Sequence, residues 1–87
     1  MNKKMIYAVE DDEGIGEVYR GAFEEDYQIR IYENGPDFLE AFRREKPDIV
    51  ILDIMLPDMD GYTVLSEIRK LDERIPVIIV SAKSDEI

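Results

Sequence analysis

The sequence predicts an open α/β fold, in which a parallel β-sheet carries helices on both of its faces. Three short runs are continuously apolar, as expected of parallel strands that are buried on both faces: residues 5–9, 49–52 and 77–80. Residues 28–32 instead alternate between polar and apolar side chains, which favours a strand with one face partly open, often at a sheet edge. Helical patterns separate these four runs, and repeated strand-helix-strand units with right-handed crossovers produce this fold class.

Three amphipathic helices are predicted between the strands, because apolar residues recur there every three or four positions. The positions are Ile15, Val18, Tyr19, Ala22 and Phe23 in the first helix, Phe38, Leu39 and Phe42 in the second, and Tyr62, Val64, Leu65, Ile68 and Leu71 in the third. Asn34-Gly35-Pro36 opens the second helix, Pro47 follows it, and Asp60 is predicted to cap the third. The phenylalanines are predicted to lie in the core, and Tyr7 and Tyr62 to be packing residues.

The composition limits the classes of function that the chain can have. Its 87 residues suit one small domain, and 21 acidic against 11 basic residues give a net charge of −10. Such a surface repels phosphates and anionic lipid, so we expect no direct binding to nucleic acid or membrane. The absence of histidine and cysteine excludes internal histidine chemistry and thiolate metal sites. No apolar run is long enough for a signal peptide or a membrane span, which makes a cytoplasmic location the expectation.

The carboxyl-terminal end of the chain is expected to be incomplete. Residues 77–80 have the composition of a central strand, but residues 81–87 resemble only the first turn of a fourth helix. An apolar strand at an open sheet edge is prone to pair with other chains. We therefore expect residues 1–87 to form a single incomplete domain. Its fourth strand would be covered by a further helix and strand of the parent sequence, or by another chain in a homo-oligomer or domain swap.

Acidic residues follow two of the predicted strands. Glu10, Asp11 and Asp12 come directly after the first strand, and Asp53 ends the third. Because ligands bind at the carboxyl ends of the strands in this fold, we expect these side chains to lie close together, with Ser81 at the end of the fourth strand. Converging carboxylates repel one another unless a hard divalent cation holds them ionised, and Mg²⁺ fits this requirement best. Asp12, by contrast, is predicted to act mainly at the start of the first helix.

Three stretches together resemble one family over essentially the whole chain. They read AVEDDEGI, IVILDIMLPDMDGYTVLSEIRK and PVIIVSAKSDE. This combination resembles the receiver domain of bacterial two-component response regulators. The resemblance implies a flavodoxin-like doubly wound parallel sheet with strand order 2-1-3-4, from which the family's fifth strand and fifth helix are missing. The third stretch looks most like regulators that carry a winged-helix DNA-binding output domain.

The same resemblance implies a role for each residue of the acidic site. Asp53 would be the phosphoacceptor, which takes a phosphoryl group from the phosphohistidine of a partner sensor histidine kinase. Asp11, Asp53 and the backbone carbonyl of Met55 would bind Mg²⁺, with Glu10 acting through a water molecule. Ser81 would donate a hydrogen bond to the phosphoryl group and couple it to a conformational switch. The family's lysine after the fifth strand and its aromatic switch residue have no counterpart in residues 1–87.

Other interpretations of the same residues remain open. Asp53 alone could be a strand-end residue that caps the following turn. Phosphatases of the haloacid dehalogenase type also place a nucleophilic aspartate after an apolar strand, but they need a second acid two residues later, where this chain has Met55. We therefore expect an aspartyl phosphate that persists, rather than a turnover enzyme. The last alternative is an inactive structural or interaction fragment that assembles through its fourth strand.

Overall fold

The computed structural model describes residues 3–57 and 59–81. In chain order the elements are β1 (Lys4–Val9), α1 (Glu13–Phe23), β2 (Tyr27–Tyr32), α2 (Gly35–Arg44), β3 (Ile49–Asp53), α3 (Gly61–Leu71) and β4 (Val77–Val80). The four strands form a parallel sheet in the order β2-β1-β3-β4. The predicted α/β class and strand order are confirmed, and β2 lies at an edge as its alternating pattern indicated. The predicted start of a fourth helix lies outside the described residues.

Each helix begins where the sequence supplies a capping side chain. The side chain of Asp12 accepts a hydrogen bond from the Ile15 N–H at 3.0 Å at the start of α1. Asn34 accepts one at 2.8 Å to open α2. Asp60 caps α3 by accepting from the Tyr62 N–H at 3.1 Å, as predicted. These caps satisfy backbone donors that have no partner inside the helix, which sets where each helix starts.

The two faces of the sheet bury different side chains because successive strand residues point to opposite sides. On one face α2 and α3 pack against the strands, in a cluster that contains Tyr7, Phe38, Phe42, Leu52, Val64 and Ile68. On the other face Tyr19 and Phe23 of α1 pack against a smaller cluster of Ile6, Ala8 and Ile51. The sheet is therefore covered by helices on both sides, and the apolar strands have somewhere to bury both of their faces.

Some apolar helix positions are not buried. Val18 is 66% exposed and Tyr62 is 60% exposed, so the prediction that Tyr62 is a packing residue is wrong. Val18 lies one position, or about 100° of rotation, from Tyr19, which faces the sheet.

Tyr7 is fully buried as predicted, and its hydroxyl donates to the Glu45 carbonyl at 2.8 Å.

The sheet edge formed by β4 is partly open in the described part of the chain. Ile78 is 50% exposed and Ile79 is 41% exposed, and these residues point to opposite faces of the strand.

Among the described residues, no helix is both long enough and apolar enough to cross a membrane.

Candidate functional site

The carboxyl ends of β1 and β3 bring the predicted acidic residues together. Val9 is aligned with Leu52 in the parallel register, so Glu10 and Asp53 follow at the same level. One carboxylate oxygen from each of Glu10, Asp11 and Asp53 lies within 4.8 Å of the others. Glu10 is 3% exposed and Asp53 is 5% exposed, whereas Asp11 faces solvent. The cluster therefore combines two buried carboxylates with one exposed carboxylate.

These carboxylates face an open cavity of about 650 Å³. The described lining consists of six acidic residues together with Gly14, Ile15 and Met55; the acids are Glu10, Asp11, Asp12, Glu13, Glu33 and Asp53. No lysine or arginine is among these lining residues. The cavity therefore has a strongly negative potential, which favours cations at its floor.

Two backbone hydrogen bonds orient the buried carboxylates. The Met55 N–H donates to Oδ1 of Asp53 at 2.9 Å, and the Asp12 N–H donates to Oε2 of Glu10 at 3.2 Å. Each bond joins a side chain to the backbone two residues later, so the chain that leaves the strand holds the carboxylate in place. Met55 thus contacts Asp53 through its amide, while its side chain lies exposed at the rim.

Burial raises the pKa of the Glu10 carboxyl above its ordinary value. The nearby charges of Asp53 and Asp11 act in the same direction, and the hydrogen bond from the Asp12 N–H opposes them in part. Burial also raises the pKa of the Tyr19 hydroxyl, with smaller contributions from the charges of Glu10 and Asp53. Both shifts have the sign expected when burial of an acidic group and nearby negative charges disfavour its charged form.

Ser81 follows β4 at the same end of the sheet. Val80, the residue before it, is aligned with Asp53, and the Ile54 N–H donates to the Val80 carbonyl at 3.2 Å. Ser81 is exposed and does not line the acidic cavity. The structure therefore places Ser81 beside the strand end that carries Asp53, but not within the carboxylate cluster.

The donor set fits a hard divalent cation. Three carboxylate oxygens within 4.8 Å of one another supply hard oxygen ligands, and two of them belong to buried residues. Mg²⁺ takes one or two carboxylates and keeps several waters, which suits an open cavity such as this one. A cation would also offset the repulsion among these carboxylates.

Glu33 belongs to the cavity although the sequence-based prediction did not include it. It directly follows Tyr32, the last residue of β2, and lines the cavity beside Glu10. The strand-end rule that selected Asp53 would also have found Glu33. Tyr19 was predicted only as an apolar helix position, and its electrostatic interaction with the site has no signal in the sequence pattern.

Comparison with known proteins decides the family, since residues 6–87 match the family described as the response regulator receiver domain. The chain belongs to this family. Among curated relatives, the transcriptional regulatory protein CseB of Streptomyces coelicolor is 41% identical over 83 residues, which are 94% of this chain and 35% of CseB. The chain spans only 38% of the transcriptional regulatory protein CreB of Escherichia coli and 35% of CseB, so it covers well under half of these relatives.

Solved receiver structures have the same fold. The BeF3-activated DrrB receiver domain superposes with a TM-score of 0.85 at 28% identity, over 97% of this chain and 70% of that one. The Mn²⁺-bound form of the response regulator Rcp1 superposes with a TM-score of 0.84 at 25% identity, over 95% of this chain and 68% of the other. The flavodoxin-like class and the two-component family, both predicted from the sequence, are thereby confirmed.

Proposed function

We propose that this receiver domain accepts a phosphoryl group on Asp53, with a sensor histidine kinase as the donor. One observation carries the proposal: Asp53 is a buried carboxylate at the carboxyl end of a central strand, held by the Met55 N–H and opening into an acidic cavity. A strand-end residue that only capped a turn would not require two further carboxylates within 4.8 Å.

Phosphoryl transfer at this site needs a nucleophile and a leaving group. A carboxylate oxygen of Asp53 attacks the phosphorus of a phosphohistidine, and the bond between phosphorus and the imidazole nitrogen breaks. The electron pair of that bond returns to the imidazole of the donor, and Asp53 becomes an acyl phosphate. The hydrogen bond to Oδ1 fixes the orientation of the carboxylate before the donor arrives.

Asp11, Asp53 and the Met55 carbonyl are the proposed Mg²⁺ ligands, with Glu10 holding a ligand water. The bound cation would neutralise charge on the phosphoryl oxygens. This assignment is supported by the carboxylate cluster and by the Mn²⁺-bound form of Rcp1 among similar structures. Burial and neighbouring negative charges raise the pKa of Glu10, which means that its ionised form is disfavoured. A cation nearby would favour that ionised form, so the position of Glu10 suits a carboxylate that acts beside a bound metal.

Ser81 is the proposed hydrogen-bond donor to the phosphoryl group. Its position next to Val80, which pairs with Asp53, supports this assignment. A hydroxyl at the end of β4 could connect modification of Asp53 to a movement of the following chain. We further propose that residues 1–87 are part of a longer receiver domain, since they cover only 70% of the DrrB receiver chain. This domain would belong to a cytoplasmic transcriptional regulator with a DNA-binding output domain, a proposal supported by the 38% and 35% of the transcriptional regulatory proteins CreB and CseB that the chain spans.

We also propose that the acyl phosphate persists and that the domain is a switch, not a turnover enzyme. The side chain two residues after Asp53 is Met55, which cannot act as a general base. The chain contains no histidine that could activate water in its place. Neither the residue at position 55 nor a histidine is therefore available as the general base for hydrolysis of the acyl phosphate.

The test is phosphorylation by a small-molecule donor. The protein is incubated with Mg²⁺ and acetyl phosphate, and the intact mass is recorded for wild type, Asp53→Asn and Asp48→Asn. Asp48 is a suitable control because it lies immediately before β3, at the end of the strand opposite Asp53. Asparagine at this position keeps an oxygen that can accept the hydrogen bond from the Met5 N–H. One phosphoryl adduct is expected on wild type and on Asp48→Asn, but not on Asp53→Asn. An adduct that survives Asp53→Asn contradicts the assignment, and repeated release of phosphate favours a phosphatase.

A second candidate is an interaction fragment that assembles through β4. The observation that favours it is the exposure of Ile78 and Ile79 on an edge strand. In that case, the apparent mass in analytical ultracentrifugation rises with protein concentration, and Ile78→Lys abolishes the rise because a charged residue disfavours edge pairing. A monomer at all concentrations removes this candidate.

A further inference from the structure

Two buried glycines begin helices next to each other in the fold but have different surroundings. Gly35 is the first residue of α2 and Gly61 is the first residue of α3. Neither has a positive φ angle, so a left-handed backbone does not explain the absence of a side chain. What a side chain would meet at each position therefore distinguishes them.

At Gly61 the space is closed by backbone atoms. A Cβ at this position would overlap Cα of Ile54, and it would lie 2.9 Å from the carbonyl oxygen of Asp53 and 3.0 Å from the carbonyl carbon of Ile54. The Gly61 N–H also donates to the Ile54 carbonyl at 3.2 Å. The first turn of α3 thus rests directly on the backbone of Asp53 and Ile54.

At Gly35 the space is closed by side chains. A Cβ there would lie 2.9 Å from Cγ2 of Val64 and 3.0 Å from Sδ of Met59. The Met59 side chain is flexible and can adjust, whereas the peptide group beneath Gly61 is bonded to the strand that carries Asp53. Alanine at Gly35 therefore disturbs packing between α2 and α3, while alanine at Gly61 displaces the backbone next to Asp53.

We propose that Gly61 is a positioning residue for Asp53. Residues 53–55 are held from three directions: the Ile54 N–H bonds to Val80, the Met55 N–H bonds to the Asp53 carboxylate, and Gly61 bears on the peptide between Asp53 and Ile54. The lack of a side chain at Gly61 permits the third of these contacts. The functional part of this inference rests on the proposed role of Asp53 as phosphoacceptor.

The expected kinetic effect follows from displacement of the carboxylate. An added methyl group must push α3 away from β3, or push the Asp53–Ile54 peptide toward the cavity. A misplacement of about 1 Å can slow a reaction by about a hundredfold. We expect Gly61→Ala to lower the maximal rate of phosphorylation at least tenfold on this basis, with little change in the acetyl phosphate concentration for half-maximal rate.

The experiment compares Gly61→Ala with Gly35→Ala, both in a Gly21→Ala background. Gly21 has no atom within 4 Å of an added Cβ, and alanine there favours helix α1, which helps both variants remain folded. Phosphorylation rates are measured in sucrose, which also favours the folded state, and circular dichroism establishes the folded fraction. Amide hydrogen exchange at Met55 is recorded for the same proteins, because that N–H reports on the Asp53 carboxylate without any chemistry.

The positioning role is supported if Gly61→Ala speeds amide exchange at Met55 and lowers the maximal phosphorylation rate, while Gly35→Ala changes neither. Equal effects of the two substitutions at equal folded fraction overturn it, as does a Gly61→Ala protein with unchanged rate and exchange. If the wild-type protein forms no adduct at Asp53, the proposed function fails. The exchange rate of the Met55 amide then still decides whether Gly61 positions the carboxylate.

Discussion

Removing the charge of Glu10 is expected to stabilise the folded domain when no divalent cation is present. The oxygens of Glu10 and Asp53 lie within 4.8 Å, and both residues are almost fully buried. At an effective dielectric constant of about 20, two unit charges at that distance repel by about 3.5 kcal/mol. Glu10→Gln removes this repulsion and keeps an oxygen that can accept from the Asp12 N–H.

The net gain is expected to be smaller than the full repulsion. Uptake of a proton by Glu10 already relieves part of the penalty in the wild-type protein, since its pKa is raised. We therefore expect Glu10→Gln to raise the free energy of unfolding by about 1–3 kcal/mol at pH 7, or the melting temperature by roughly 4–8 °C per kcal/mol. Urea and thermal unfolding in the presence of EDTA measure this difference.

The matched control is Glu33→Gln. Glu33 lines the same cavity, but it is exposed and is not one of the three clustered carboxylates. Its substitution is expected to change stability by less than about 0.5 kcal/mol, as is usual for surface positions. Added Mg²⁺ should then stabilise wild type more than Glu10→Gln, which lacks one of the charges that attract the cation. If Glu10→Gln is no more stable than wild type in EDTA, the buried-repulsion argument is refuted.

Three further predictions concern the core and α1. Burial raises the pKa of the Tyr7 hydroxyl, so its stabilising contribution is complete below about pH 10 and is lost as the pH rises through the raised value. Tyr7→Phe should therefore lower the free energy of unfolding by about 1 kcal/mol at pH 7, because the hydrogen bond to the Glu45 carbonyl is lost. Urea titrations should show the stability difference between wild type and Tyr7→Phe becoming smaller at alkaline pH. Phe42→Ala should cost about 3–5 kcal/mol because Phe42 is fully buried, whereas Val18→Ala should change stability by less than about 0.5 kcal/mol. Equal losses in chemical denaturation would contradict this. Gly21→Ala should raise the free energy of unfolding by about 0.4–1 kcal/mol, because alanine reduces the conformational freedom of the unfolded chain. The melting temperature should rise accordingly, and a lower melting temperature would contradict the open surroundings of Gly21.

The order of elements and the location of the acidic site could be predicted from the sequence because both depend on local patterns. Continuous apolar runs define β1, β3 and β4, and a carboxylate that follows such a run must lie at the carboxyl end of the sheet. Asp11 and Asp53 are therefore recognisable without coordinates. The same rule applies to Glu33 after β2, since β2 pairs directly with β1.

Only the tertiary structure decides which residues on an apolar helix face are buried and what surrounds each of them. Tyr19 and Val18 are adjacent in α1, but only Tyr19 packs on the sheet, because a helix turns by about 100° per residue and the sheet covers one side of it. The burial of Glu10 beside Asp53 and the contact of Gly61 with the Asp53–Ile54 peptide depend on distances between elements. Those distances are set by the packing of α3 and β1 around β3. The sequence alone therefore identifies the acidic residues, whereas the packing determines how strongly their charges interact and how accurately their side chains are positioned.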